Sequence, residues 1–382
     1  MTSLSGRDLA NLVKSVFPRF PEDRVLAVLV DVPRSPADDN REWKARRSLA
    51  FEWSSALKKN RADVPLEDIR LYAYPDVGSN NADLPAEAFL IDGPVPAEAS
   101  ALLGAGFPVL FARVFDEAQL FLAPTEYSTT APLKVAAKKH GFRAATMPGF
   151  SMAMIPALQV DYAEVARRVE AIRSRLDEAA EAVVRFLLDG GLEYRVRFDL
   201  RFRSAHASSG RFPDRGTAGN LPSGEAYIVP YEGERGEPSR TEGVLPVEAG
   251  GEVVLFQISA NKAVQVYGEG KAAAAERERL AREPAYGNMA ELGFGVLADF
   301  GLAPAGEILL DEKLGLHVAF GRSEHFGGAV GPKDFSSPAE VVHLDRIYIP
   351  AAQPRISVHS VVLSYPDGRR EEVMDNGAYT IF

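Results

Sequence analysis

The sequence predicts two domains: an α/β domain with a mostly parallel sheet in a Rossmann-like outline, then a mainly antiparallel α+β domain. The length of 382 residues exceeds the size at which a single hydrophobic core usually stops growing. Strand-like and helix-like segments alternate in the first half of the chain. Beyond residue 182, strictly alternating apolar and polar residues and hairpin turns dominate instead.

The first domain is predicted to cover residues 1–182. An amphipathic helix to about residue 17 precedes a nearly continuous apolar run at 24–32, which is typical of a strand buried on both faces of a parallel sheet. An amphipathic pattern at about 161–181 predicts the helix that connects the two domains. Between these segments, helices are predicted near 40–59 and 131–140, and strands near 69–74, 88–91, 109–114 and 142–147.

The second domain is predicted to cover residues 183–382. The run 192–202 alternates strictly between apolar and polar residues, which is typical of a strand with one solvated face. Asp189-Gly190-Gly191 before it supplies a hairpin turn. Further hairpins are predicted from 253–258 with 264–267 and from 357–365 with 371–373.

Composition excludes several kinds of function. The chain has no cysteine, which removes disulfides, thiolate nucleophiles and cysteine-ligated metal sites. A formal net charge of -10 disfavours a nucleic-acid partner, because such partners require a basic surface. Arg7, Asp8 and Lys14 interrupt the N-terminal apolar residues, and no apolar run approaches the roughly 20 residues that span a bilayer. We therefore expect a cytoplasmic protein with no membrane partner.

Histidines concentrate in one stretch of the chain. His317, His325 and His343 are three of only six histidines, and all lie between residues 309 and 345. His343 and Asp345 are two residues apart, so on a strand both side chains point to the same face. His317 lies in a second run with strand character. Two imidazoles and a carboxylate on one face predict a site for a divalent transition metal with open coordination positions. Since all three residues lie beyond residue 182, the second domain is predicted to be the catalytic, metal-binding one.

Three glutamates are the further candidate ligands, because each lies in a segment stiffened by glycine or proline. They are Glu225, Glu291 and Glu312. Such a carboxylate could bridge two metals or take a proton from metal-bound water. The alternative interpretation is simpler: glutamates in turns are usually solvated, and a lone histidine on an apolar strand is often a hydrogen-bonded core residue. Glu324 and His325 could likewise form a surface ion pair.

Four motifs in order carry a family resemblance over roughly residues 147–345. They are Asn-Leu-Pro-Ser-Gly-Glu, Glu-Leu-Gly-Phe-Gly, Asp-Glu-Lys-x-Gly-x-His-Val-Ala-Phe-Gly and His-Leu-Asp. This order resembles the M29 family of metalloaminopeptidases and is similar to the related 2,5-dihydroxypyridine 5,6-dioxygenases. In the dioxygenases His317, His343 and Asp345 would match the ligands of one Fe(II). The peptidases imply a centre of two Zn, Co or Mn ions, with the ligands Glu225, Glu291, Glu312, His317, His343 and Asp345.

The resemblance implies three functional hypotheses. The first is an aminopeptidase-like hydrolase of short peptides, with Glu225 or Glu291 as general base. The second is a ring-cleaving dioxygenase of a small aromatic molecule, with His325 as acid or base. The third is a non-catalytic relative. The resemblance also implies a homodimer or larger homo-oligomer. The chain departs from the peptidases at two places. They carry a tyrosine shortly after the first histidine, where the aligned residue here is Glu324, and the loop between His317 and His343 is shorter than the peptidases imply.

Overall fold

The computed structural model describes residues 4–382, and these form two compact units. The first unit contains the chain up to Ala166, together with Ser208–Ser223 and Ala305–Leu310. The second contains Arg167–Ala207, Gly224–Pro304 and Asp311–Phe382. The chain thus passes from the first unit to the second inside the predicted connector helix, and two short segments of the later sequence belong to the first unit.

The strands, in chain order, are β1 Val25–Val32, β2 Asp68–Pro75, β3 Glu87–Ile91, β4 Gly106–Leu110, β5 Leu120–Thr125, β6 Arg143–Pro148, β7 Glu181–Leu188, β8 Leu192–Asp199, β9 His206–Ser208, β10 Thr217–Asn220, β11 Glu225–Ile228, β12 Glu242–Ala249, β13 Glu252–Ser259, β14 Lys262–Tyr267, β15 Met289–Gly295, β16 Leu316–Gly321, β17 His343–Ile347, β18 Ile356–Ser364, β19 Arg370–Asp375 and β20 Ala378–Tyr379. The α-helices are α1 Gly6–Val16, α2 Arg41–Lys59, α3 Leu102–Ala105, α4 Phe111–Glu117, α5 Thr130–His140, α6 Tyr162–Glu178, α7 Lys271–Arg282 and α8 Ile308–Asp311.

The first unit is built on a seven-stranded sheet in the order β10-β6-β5-β1-β2-β3-β4. All pairs from β10 to β2 are parallel, and β3 and β4 add an antiparallel edge. The apolar run that predicted a buried strand is β1, which is buried from Leu26 to Val32 and lies between two parallel neighbours. The predicted α/β fold with a mostly parallel sheet is confirmed.

The predicted strand at 109–114 is wrong beyond Leu110, because the chain turns into helix α4 there. Phe111, Val114 and Phe115 recur at the spacing of one helix face, and all three are buried. Phe115 packs against Phe142 with 5.2 Å between ring centroids. The apolar run therefore belongs to a helix. Over so few residues, the spacing of apolar residues does not distinguish a helix from a strand.

The second unit contains two sheets. The eight-stranded sheet has the order β14-β13-β12-β8-β7-β18-β19-β20, and every neighbouring pair in it is antiparallel. Asp189 and Gly190 have φ values of 50° and 71°, so they form the tight turn that joins β7 to β8, as predicted. The five-stranded sheet has the order β17-β16-β15-β11-β9. The predicted α+β, mainly antiparallel second part is confirmed.

Among residues 4–382, no helix combines the length and the apolar character needed to cross a lipid bilayer.

Candidate metal centre

One face of the five-stranded sheet carries the predicted ligands. Residues paired directly across antiparallel strands point to the same face. Glu291 of β15 pairs with Ala319 of β16, and Ala319 pairs with Asp345 of β17. In β11, Glu225 pairs with Gly295, which lies four residues after Glu291 on the same face. Strand register therefore gathers carboxylates from three strands that are far apart in the sequence.

Two glycines on this face make room for the site. A Cβ atom built on Gly293 would lie 2.0 Å from Nε2 of His317, the residue that pairs with Gly293 across the sheet. A Cβ atom on Gly295 would lie 2.2 Å from the carbonyl carbon of Lys313. Separations this short are impossible, so glycine is required at both positions. The missing side chains let an imidazole and a backbone turn lie directly against the sheet.

His317 is buried, with 1% of its surface exposed, and its orientation is fixed from both ring nitrogens. Nδ1–H donates to the carbonyl of Gly315 at 3.3 Å. Nε2 lies 3.3 Å from Oε1 of Glu291 and 3.5 Å from Oε2 of Glu225. A backbone acceptor on one nitrogen is the usual way in which a protein orients the other nitrogen towards a metal.

His343 is arranged in the same way on the neighbouring edge strand. Its Nδ1–H donates to the carbonyl of Arg322 at 2.8 Å. Its Nε2 lies 3.2 Å from Oε2 of Glu291 and 3.7 Å from Oδ1 of Asp345. The two histidines thus approach opposite oxygens of a single carboxylate, that of Glu291.

The donors form two groups, each small enough for one metal ion. The first is Glu225, Glu291 and His317, and the second is Glu291, His343 and Asp345. Within each group the candidate ligand atoms lie within 4.8 Å of one another. Glu291 belongs to both groups. Five of the six predicted metal ligands are therefore brought together by the structure, all of them in the second unit.

Glu312, the sixth predicted ligand, belongs to neither group. It lies with Lys313 in a short 3₁₀ helix, Glu312–Leu314, and its carboxylate forms an ion pair with the Lys313 ammonium. The same ammonium donates to Oε1 of Glu225 at 2.6 Å. Lys313 is 2% exposed, so a buried cation holds Glu225 from the side away from His317. Lys313 was not among the predicted site residues, although in the sequence it lies between Glu312 and the predicted strand that carries His317.

The site has a strongly negative field. Burial alone would lower the pKa of His317, but hydrogen bonding to Glu291 and the charge of Glu225 raise that pKa to about 9. Burial likewise opposes a raised pKa at His343, and hydrogen bonds with Asp345 and Glu291 prevail, so its pKa is well above the usual value. A field that draws protons onto the imidazoles of buried His317 and half-buried His343 would also favour a divalent cation.

Glu312 differs from the other carboxylates. Its burial raises the pKa of its carboxyl to about 7, since the attraction of Lys313 is offset by repulsion from Glu225 and Asp345. The pKa of Glu291 is lowered instead, because its two histidine partners outweigh the effect of burial. The environment therefore separates the two glutamates: one is held as an anion and the other is close to its midpoint at neutral pH.

His325 lies beside the metal groups, outside both of them. Its ring centroid is 5.2 Å from that of His343, and the two rings meet edge to face. Partial desolvation of its ring and the positive charges of His343 and Arg322 lower its pKa to about 4, so its imidazole is neutral at pH 7. Glu324, where the peptidases carry tyrosine, is exposed and pairs with Arg322 at 2.8 Å.

The residues fit a metal in two respects. The donor set consists of imidazole nitrogens and carboxylate oxygens, which suit Zn, Mn, Co and Fe. In addition, Oε2 of Glu225 is buried and has no hydrogen-bond partner. A buried carboxylate oxygen without a donor costs free energy, and a cation at the Glu225, Glu291 and His317 group would satisfy it.

No protein-family model matches the chain, and no curated protein sequence does. Two solved structures are similar to it over nearly the full length of both chains. Wild-type AmpT from Thermus thermophilus is 16% identical, with a TM-score of 0.54, over 98% of this chain and 99% of that one. The structure of 2,5-dihydroxypyridine dioxygenase from Pseudomonas putida KT2440 is 15% identical, with a TM-score of 0.58, over 99% of this chain and 98% of that one. The chain therefore shares the fold of these two proteins, as the order of its motifs predicted.

Proposed function

We propose that the protein is a metal-dependent hydrolase of the M29 aminopeptidase type, which removes N-terminal residues from short peptides. The observation that carries the proposal is the position of Glu291 between two histidines. Its Oε1 lies 3.3 Å from Nε2 of His317 and its Oε2 lies 3.2 Å from Nε2 of His343. A carboxylate that offers one oxygen to each of two donor groups is what a two-metal centre requires of a bridging ligand.

The fold and the motifs support the same proposal. AmpT has a similar fold over nearly its whole length, and the order of the four motifs resembles the M29 aminopeptidases. The motifs that resemble this family supply Glu225, Glu291, His317, His343 and Asp345, and these are the five residues of the two donor groups. A single-iron site would need only two imidazoles and one carboxylate, so it would leave Glu225 without a function.

Two Zn, Co or Mn ions, when bound, would polarise the scissile carbonyl and acidify a water molecule. The protein's own residues have three functions beside them. Nδ1 hydrogen bonds orient both imidazoles. Lys313 holds Oε1 of Glu225, which leaves Oε2 as the oxygen that would ligate a metal ion. The half-buried carboxyl of Glu312 lies in the same negative region and would receive the positively charged amino terminus of a peptide.

The test begins with protein purified without added metal and analysed for metal atoms per chain. Turnover of aminoacyl anilides is then measured before and after a chelator, and again after addition of cobalt, zinc or manganese. We expect chelation to abolish turnover and one of these metals to restore it. His343→Ala should remain inactive with every metal, while His140→Ala, which changes a histidine of the first unit, should behave as wild type. One tightly held iron with no hydrolysis of any anilide would refute the proposal.

The second candidate is a non-haem Fe(II) dioxygenase that cleaves an aromatic ring. The similar fold of 2,5-dihydroxypyridine dioxygenase favours it, as does the arrangement of His325 edge to face against His343. Fe(II) would be held by His317, His343 and Asp345. Oxygen uptake with hydroxylated pyridines or catechols that disappears in His343→Ala would support this candidate. Absence of both activities together with absence of stoichiometric metal would instead indicate a non-catalytic relative.

A further inference from the structure

Four rings form a continuous surface next to the metal centre, and we call them the aromatic wall. They are His206, Tyr227, His325 and Phe326. Tyr227 lies at the centre: its ring centroid is 4.8 Å from that of Phe326 and 5.2 Å from that of His206, on which it stacks. Phe326 in turn packs on His325 at 3.9 Å.

The aromatic wall adjoins the proposed ligands directly. Phe326 and His325 each meet the ring of His343 edge to face, at 5.4 Å and 5.2 Å between centroids. Tyr227 lies on the same strand face as Glu225, two residues away, and pairs across the sheet with Gly293. Since Gly293 is the residue against which His317 lies, the wall reaches both donor groups.

The wall is not a buried part of the core. His206, Tyr227 and Phe326 are only partly buried, and His325 is exposed. Aromatic surface left open beside a charged centre is typical of ligand sites, where apolar walls accompany a few placed polar groups. A second ring on this surface would gain edge-to-face or stacked contacts in addition to the burial of apolar area.

A buried carboxylate holds the loop that carries half of the wall. Glu232 accepts hydrogen bonds from Oγ of Ser323 at 2.5 Å, from Nδ2 of Asn288 at 2.7 Å and from the backbone N–H of Ala329. Arg203 completes the arrangement: it pairs with Glu232 at 3.1 Å and donates to the carbonyl of Gly327 at 3.0 Å. The loop at 322–331 is therefore fixed on both sides of Phe326.

His206 joins the two halves of the wall. Its Nε2–H donates to the carbonyl of Phe326 at 2.9 Å while its ring stacks on Tyr227. His206 thus connects the loop that carries Phe326 to the strand that carries Tyr227, and all of these residues lie in the second unit. A surface held in this way loses little conformational entropy when a ligand binds, which makes it suited to discriminate between side chains.

We propose that the aromatic wall binds the side chain of the substrate's first residue, so that the protein prefers peptides that begin with an aromatic residue. This inference rests on the proposed aminopeptidase activity. His343 belongs to a donor group and also contacts the aromatic wall. A peptide whose scissile bond lies at the metal centre would therefore have its first side chain next to the wall. The preference follows from ring-to-ring contacts and requires no charged group on the side chain.

The experiment compares phenylalanine anilide with alanine anilide as substrates of the metal-loaded full chain. It also compares L-phenylalaninol with L-alaninol, which are not hydrolysed, as ligands in calorimetric titrations. We expect phenylalanine compounds to be favoured in both assays. Phe326→Ala should reduce each preference by about threefold to tenfold, the effect of one lost aromatic contact.

Two further variants keep the test decisive. Tyr227→Leu removes a ring from the other half of the wall and should lower the preference in the same direction. Phe202→Leu is the matched control, because Phe202 is an exposed phenylalanine that packs on Tyr231 and does not contact the wall. It should change neither ratio.

The outcomes separate the two proposals. Tight binding of phenylalaninol without hydrolysis of any anilide would refute the aminopeptidase proposal and retain the wall. Hydrolysis of both anilides at equal rates, with equal affinity for the two amino alcohols, would overturn the inference about the wall and leave the proposed activity standing. An unchanged preference in both Phe326→Ala and Tyr227→Leu would overturn it as well.

Discussion

Replacing Gly293 with alanine should displace the imidazole of His317 and weaken metal binding. The added Cβ would lie 2.0 Å from Nε2 of His317, 2.3 Å from Cε1 and 2.6 Å from Cδ2. Ordinary van der Waals contact begins at 3.4 Å, so the ring or the strand must move by about 1.4 Å, the difference between 3.4 and 2.0. Metal ligands tolerate deviations of only about 0.2 Å, so His317 would leave its donor group.

General magnitudes give the expected losses of metal affinity and of stability. Changes that disturb the orientation of a metal-ligating histidine weaken metal binding by about 10–100-fold. The free energy of unfolding should fall by about 1–3 kcal/mol, the usual cost of overpacking a tight contact. Calorimetric titration with Zn²⁺ or Mn²⁺ measures the first effect, and thermal unfolding of the metal-free protein measures the second.

Gly191→Ala is the matched control, because nothing lies within 4 Å of its added Cβ. A double-mutant cycle with His317→Ala then tests whether Gly293→Ala weakens metal binding through His317. If Gly293 acts through His317, the glycine change should cost little additional metal affinity in a protein that already lacks the imidazole. Metal affinity equal to wild type in Gly293→Ala would refute the reasoning, since it would mean that His317 does not ligate.

Three other changes have defined outcomes. Glu291→Gln should weaken metal binding by about 10–100-fold, because one amide cannot offer an oxygen to both donor groups; retained stoichiometric metal on elemental analysis would contradict this. Lys313→Met removes the buried cation beside Glu225, so added metal should raise the unfolding temperature more than it does in wild type; an equal shift in differential scanning calorimetry would argue against it. Asp23→Ala should lower the free energy of unfolding by about 3–5 kcal/mol in urea titration, since it leaves buried Arg143, now 2.5 Å from Asp23, without its counter-charge; a change below about 1 kcal/mol would disagree.

The general fold was predictable because local pattern and burial agree along most of the chain. β1 is apolar except at Asp31 because both of its faces are covered, and its composition alone indicates a parallel sheet. Asp189-Gly190-Gly191 indicates its hairpin because the turn requires positive φ at its centre. Helix α4 was mispredicted because a short apolar run satisfies both periods, and only its packing on Phe142 decides between them.

Parts of the candidate site were also predictable from the sequence. His343 and Asp345 share a face because side chains alternate along a strand, which fixes their relation without any tertiary information. The other predicted ligands rested on motif resemblance. The structure brings Glu225, Glu291 and His317 to the same face, but it pairs Glu312 with Lys313 and places neither in a donor group.

The sequence by itself determined the kinds of donor available, since a chain without cysteine leaves imidazole and carboxylate for a transition metal. It also determined which residues alternate onto a common strand face. Only the tertiary structure decided that Glu291 lies between His317 and His343, that Lys313 holds Glu225, and that glycine is required at position 293. The reason is strand register: a shift of one residue would turn every one of these side chains to the opposite face, and register is set by pairing between strands distant in sequence.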